Sequence, residues 1–234
     1  MGTGLNRTDV GVAIGKGVLG VLPIVGPLAA EVVGTLIPNQ RLDRLERFLQ
    51  ALAQKVAGLD KEHVRTRFTE AGFVDLFEDG MYQAARALSA ERLDYIASLI
   101  KNGLSADEAK ALGYKHLLSL LGQLNDAEVI LLGSRAVRYQ HDEEYWSRHA
   151  HVLEPARAFQ GAPQDQLDEA SVQESYGNHL ARLGLLENTY RRPQRGELPE
   201  FDDRTGMMKA SGRRLTSLGG LLLRTIDMLA SDEF

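Results

Sequence analysis

Cysteine is absent from this chain of 234 residues. That absence removes disulfides, thiolate metal sites and a cysteine nucleophile, and it fits a reducing, cytoplasmic setting. A cationic surplus is missing too: 27 lysines and arginines stand against 32 acids, a formal net charge of −5. No global field therefore draws the chain to nucleic acid or to an acidic lipid surface, and such a contact requires a local basic patch. A secretory signal is not expected, because Asp9 precedes the first apolar run and the exit at residues 38–41 has no small-x-small cleavage site. Nor is there an uncharged run long enough to span a bilayer. Residues 17–30 carry no charge, but a spanning helix needs roughly 20 apolar residues, and extending the window takes in Lys16 or Glu31. What is present is ordinary for a folded protein. Hydrophobic residues make up 44% and charged ones 25%, which argues against wholesale disorder and supplies enough material for a core.

The apolar N-terminus has its own grammar. Gly26, Ala30 and Gly34 recur every four residues, as do Gly11 and Gly15, a spacing that lets helix backbones approach closely. Pro23 and Pro27 interrupt a helix and predict two short ones, 11–22 and 28–36, joined by a turn. A carboxylate at Glu31 would cost on the order of 2–3 kcal/mol in mid-membrane. The reading that follows is a hairpin packed against the rest of the protein or a second subunit, and able to enter the inner membrane on release. The stretch "GVAIGKG" at 11–17 fails as a phosphate loop, since its glycine spacing is short and Gly17 stands where Ser or Thr would hold magnesium.

From Arg41 to about residue 155 the pattern is a helical bundle. Leu42, Leu45, Phe48, Leu49, Leu52 and Val56 repeat at three and four, opposite Arg41, Arg44, Glu46 and Arg47. Ser89 is placed to cap one helix that stops at Asn102-Gly103. Ser105 with Glu108, and Asn125 with Glu128, stand at capping-box spacing. Short connections imply antiparallel neighbours. Glu70, Asp75, Glu78 and Asp79 alternate with Phe73, Leu76 and Phe77 and read as one amphipathic helix. "YQHDEEYWSRHAH" offers His141, Glu144, His149 and His151 as metal-ligand types, but helical spacing spreads them, so a solvated helix with Tyr145 and Trp146 packed inward is expected.

The texture changes after Pro155. A turn-rich linker around residues 160–166 precedes a helix from about Ser171, an extended "ENTYRR", a polar loop with Pro193 and Pro199, a short "GMMKAS" strand, and a last helix capped by Thr216. Leu218, Leu221, Leu222, Thr225, Ile226 and Leu229 are its expected buried stripe. Helix, strand, wing, strand, helix is the back half of a winged helix. Between Glu187 and Arg214 seven basic residues face five acids, and Arg191, Arg192 and Arg195 cluster where a wing could grip phosphates. The helix before it argues the other way: Asp168, Glu169 and Glu174 load its start, and only His179 and Arg182 offset them.

Leu180, Arg182, Leu183, Gly184 and Leu185, followed by Leu215, Thr216, Leu218 and Gly219, resemble the C-terminal segment of the bacterial abortive-infection alpha (Abi-alpha) group. The resemblance covers the last quarter of the chain. It implies a bacterial protein linked to phage defence, with no defined chemistry. The fold expected is therefore mainly α: a hairpin over 1–40, a bundle over 41–155 and a winged helix with a small β-hairpin over 156–234. No serine–histidine–aspartate arrangement, cofactor, metal or small-molecule substrate is inferred. A protein partner or self-association is expected, through Gly26, Ala30 and Gly34 or in a membrane, with DNA binding by the three wing arginines as the alternative.

Overall fold

The structure is a computed structural model that describes residues 41–105, 108–156, 159, 161–195, 197–202 and 206–230. The hairpin expected over residues 11–36, with Gly26, Ala30 and Gly34, lies outside the described residues. Within them the protein is mainly helical, with eleven helices and one two-stranded antiparallel sheet. They fall into two compact units that divide at Gln123/Leu124, residues 225–227 belonging with the first. The turn-rich stretch near residue 160 suggests a later boundary, at 155. It lies instead inside the second unit, because a side chain at residue 128 is bonded to one at 179.

The first unit holds α1 (Leu42–Val56), α2 (Lys61–Arg67), α3 (Ala71–Arg86), α4 (Ala90–Leu104) and α5 (Glu108–Gln123). Leu45, Phe48, Leu49, Leu52 and Val56 are buried as their spacing predicts, and α1 lies along α4 and α3. Phe68 sets its edge against both Phe73 (4.9 Å) and Phe77 (5.3 Å), an arrangement that suits aromatic quadrupoles. Asp60 caps α2 and Ser89 caps α4, each accepting a backbone N–H three residues on. Residues 102 and 103 do not stop α4, which runs one residue further; the Ser105 N–H closes it by donating to the Asn102 carbonyl. Ser105 thus ends one helix, while the proposed box with Glu108 falls partly outside the described residues. The Asn102 side chain donates to the Thr225 carbonyl (2.8 Å) and to Asp227 (3.0 Å). On the surface, Lys115 of α5 pairs with Asp75 and Asp79 of α3. Its pKa is raised, chiefly by the hydrogen bond it donates to Asp75. Exposed pairs of this kind add little stability.

The second unit begins with α6 (Asp126–Gly133) and continues through the short α7 (Val137–Gln140), α8 (Glu143–Arg148) and α9 (Ala150–Leu153) to α10 (Gln164–Arg182). The predicted capping box is present: Asn125 Oδ1 accepts from Glu128 N, and Glu128 Oε2 accepts from Asn125 N, both at 2.8 Å. Helix α10 starts seven residues earlier than Ser171, with Pro163 immediately before its first turn, where a missing N–H costs nothing. Strands β1 (Leu186–Tyr190) and β2 (Ala210–Leu215) pair from Leu186↔Leu215 outward and slip at Thr189/Tyr190. The expected "GMMKAS" strand is displaced toward the C-terminus; of its first part only Met208 pairs, in a bridge to Phe201.

The last helix, α11 (Ser217–Thr225), buries Leu222, Leu223 and Thr225, and Ile226 just beyond its end is buried too. Of the expected stripe Leu222, Thr225, Ile226 and Leu229 are buried and Leu218 is half-buried, while Leu221 is 43% exposed and Leu223 is buried in its stead. The helix ends before Leu229. Asp227 adopts a left-handed φ of 59°, and the N–H groups of Met228 and Leu229 turn back to the Leu223 carbonyl. Leu222 is fully buried. Leu222→Ala is expected to cost about 2–5 kcal/mol in a denaturant melt, and Arg192→Ala, on the exposed hairpin, no more than about 0.5 kcal/mol. A silent Leu222→Ala would refute this placement of α11.

Candidate functional site

The β1–β2 hairpin is positioned by how the flanking helices end and begin. Helix α10 closes with a Schellman turn: Leu185 N donates to the Leu180 carbonyl and Gly184 N to the Ala181 carbonyl, both at 3.0 Å. Gly184 sits at φ +72°, a conformation that excludes most side chains. Leu180 and Leu185 are both fully buried beneath it. At the far end of the hairpin Thr216 returns to this turn. Its Oγ1 lies 2.7 Å from the Gly184 carbonyl and 3.1 Å from that of Leu185, while its N–H donates to Leu185 (3.1 Å). The same hydroxyl accepts from Gly219 N at 3.0 Å and so caps α11. A Cβ on Gly219 would stand 2.3 Å from the Leu185 carbonyl oxygen. Leu180, Gly184 and Leu185 thus meet Thr216 and Gly219, some 30 positions on in the chain, in one clasp.

Above the clasp the hairpin is tied in two stages. The Glu187–Arg214 pair (2.7 Å) spans the strands. Further out, Lys209 N donates to the Glu200 carbonyl, and Asp202 N to that of Met207, each at 2.8 Å. Arg191 bonds Glu197 (3.0 Å) and lies 3.6 Å from Glu200. It therefore braces the loop from within and is not an open cation. Arg192 and Arg195 are exposed and make no ion pair among the described residues. Around them the hairpin leaves large apolar side chains in water: Leu198 is 85% exposed, Met207 69% and Phe201 56%. Arg191, Pro193, Leu198, Pro199 and Lys209 border a shallow cleft of about 130 Å³.

The other expected contributors lie elsewhere. Asp168, Glu169 and Glu174 are exposed along α10, as expected. His179 is not an available cation on that helix: its Nδ1 lies 2.6 Å from Oε1 of the buried Glu128. No local spacing announces that bond, which joins residues 51 apart in the chain. The histidine-rich segment is broken into α7, α8 and α9 instead of forming one helix. Tyr145 is buried and donates its hydroxyl to the Ile130 carbonyl (2.7 Å), but Trp146 stays 37% exposed, its Nε1 held by the Tyr139 carbonyl (2.7 Å). Glu144 pairs with Arg148, and no three metal-ligating side chains gather among the described residues.

Thr216→Ala should cost about 1–2 kcal/mol, the loss of an N-cap, whereas Thr216→Ser should retain most of the stability. Equal denaturation midpoints for the two variants would show that the hydroxyl does not hold the clasp. Compared with family models, curated proteins and solved structures, the chain matches none.

Proposed function

We propose that this chain is a non-enzymatic bacterial protein of the abortive-infection type, acting in phage defence by docking through the β1–β2 hairpin on a partner protein or a second copy of itself. The observation that carries the reading is the apolar character of that hairpin. Leu198, Phe201 and Met207 are each more than half exposed on one short excursion of chain. Large apolar side chains left in water close together in the chain, with arginines beside them, are what a contact patch requires. The clasp beneath supports it, because it anchors both ends of the hairpin that carries these side chains. The defence assignment rests on the resemblance of residues 180–185 and 215–219. A membrane-perturbing step would belong to residues 11–36, outside the described residues; no helix among the described residues is long and apolar enough to cross a membrane.

A second reading, a winged-helix regulator that binds DNA, is favoured by Arg192 and Arg195 and by the order helix, strand, loop, strand, helix. Two experiments separate them. Expression in phage-challenged bacteria should lower plaque formation, and Leu198→Asp with Phe201→Asp should restore it while the protein stays folded. Unchanged plating with the wild-type chain would remove the defence reading. On duplex DNA the regulator reading expects salt-dependent binding whose log–log slope falls by about 2 when Arg192 and Arg195 both become alanine. Absence of salt-dependent binding would remove that one.

A further inference from the structure

Methionine is the only sulfur-bearing residue of this chain, which has five methionines and no cysteine. Met1 lies outside the described residues. Of the other four, Met81 in α3 is fully buried and Met228 is buried too. Met207 and Met208 are the reverse: they are 69% and 41% exposed, adjacent in the chain, and on the hairpin that carries Leu198 and Phe201. An oxidant arriving from water therefore meets these two thioethers first, and the chain has no thiol to intercept it.

Their place in the hairpin matters as much as their exposure. Met208 pairs with Phe201 in an antiparallel bridge, which sets the two side chains on one face. The backbone is tied on both sides of that bridge: Asp202 N donates to the Met207 carbonyl and Lys209 N to the Glu200 carbonyl, each at 2.8 Å. Gly206 turns the chain just before it at φ +67°, its N–H donating to the Asp202 carbonyl (2.8 Å). These ties run from backbone to backbone and involve neither sulfur. Neither methionine belongs to the core, so a change at sulfur alters what the hairpin presents without unfolding the protein.

We propose that Met207 and Met208 are a reversible oxidation site, through which peroxides turn the apolar face of the hairpin polar and release whatever is docked there. The proposal rests on the docking reading of the hairpin. A thioether lone pair attacks one peroxide oxygen; the S–O bond forms as the O–O bond breaks, and the sulfur gives up two electrons. With hydrogen peroxide the departing hydroxide takes the proton of the new S–OH group and leaves as water, so that a sulfoxide remains. Reversal needs a thiol-dependent methionine sulfoxide reductase, whose thiols supply two electrons and two protons and carry the oxygen off as water. The sulfoxide replaces an adaptable apolar side chain with one bearing a strong acceptor oxygen. On the face shared with Phe201 that oxygen holds water, which an apolar partner surface must strip away before it can close.

The test exposes the full chain to dilute hydrogen peroxide, follows each methionine by peptide mass spectrometry, and measures retention on a hydrophobic-interaction column. Met207 and Met208 should each take up one oxygen at least about tenfold faster than Met81 and Met228. The oxidised chain should elute earlier with an unchanged circular dichroism spectrum, and a methionine sulfoxide reductase with its thiol reductant should restore the retention. With Met207→Leu and Met208→Leu, peroxide should leave the retention where it was. Equal oxidation of the four methionines, or unchanged retention of the oxidised wild type, overturns the proposal. In phage-challenged bacteria Met207→Gln with Met208→Gln, which sets a polar amide in place of each thioether, should restore plaque formation as Leu198→Asp with Phe201→Asp does. If the aspartate pair is inactive while the glutamine pair protects fully, docking stands and its control by oxidation falls. If the wild-type chain gives no protection, the defence reading falls, and the peptide and column measurements still decide the oxidation site.

Discussion

The Thr216 hydroxyl is the smallest group on which the C-terminal architecture depends. It points at the carbonyl oxygens of the turn that closes one helix and accepts the N–H of a helix about to begin. Both ends would otherwise leave backbone groups without partners, and the interior tolerates few of those. Around that hydroxyl the demands on neighbouring residues become strict. Gly184 must be left-handed for the Leu185 N–H to reach the Leu180 carbonyl, and Gly219 must lack a Cβ for α11 to approach Leu185. Once this junction is set, the register Leu186↔Leu215 follows, and the hairpin leaves the surface in a fixed direction.

Charge inside the protein is handled in two contrasting ways. Glu128 is buried with both carboxylate oxygens engaged, one by the Asn125 N–H and one by His179. Removing either partner would strand part of a desolvated charge, which costs more than the bond itself contributes. Arg67 in the first unit is also buried: it pairs with Glu70, donates to the Gly103 carbonyl (3.3 Å) and lies over the Phe73 ring, yet its Nε has no partner. Satisfaction there is spread over an acid, a carbonyl and a π-face.

Local features were the legible ones. The helical period of α1 and the box of Asn125 and Glu128 depend only on residues three or four apart, and both are present. The β-hairpin and the capping role of Thr216 were readable for the same reason. The start of α10 was not, because Gly161, Pro163 and the polar residues after them signal a turn while the chain is already helical from Gln164. Most of the stripe expected at the C-terminus is buried, but Leu223 takes the place given to Leu221, since neighbouring leucines are interchangeable to a periodicity argument and only packing chooses among them. Arg191, read as a cation for a ligand, is spent on Glu197; sequence gives the charge of a side chain but not its partner. The joint between residues 128 and 179 was invisible because neither residue says anything about the other.

Trp146 is the only tryptophan in the chain, and it lies in α8 of the second unit with its indole N–H fastened to a carbonyl and part of its ring in water. Indole emission from this protein therefore reports on one half of the molecule. Helical circular dichroism draws on both halves, since α1 to α5 supply much of the helix. If the two units lose their structure at different temperatures, the optical signals will separate, and the gap between them measures how far the halves depend on each other.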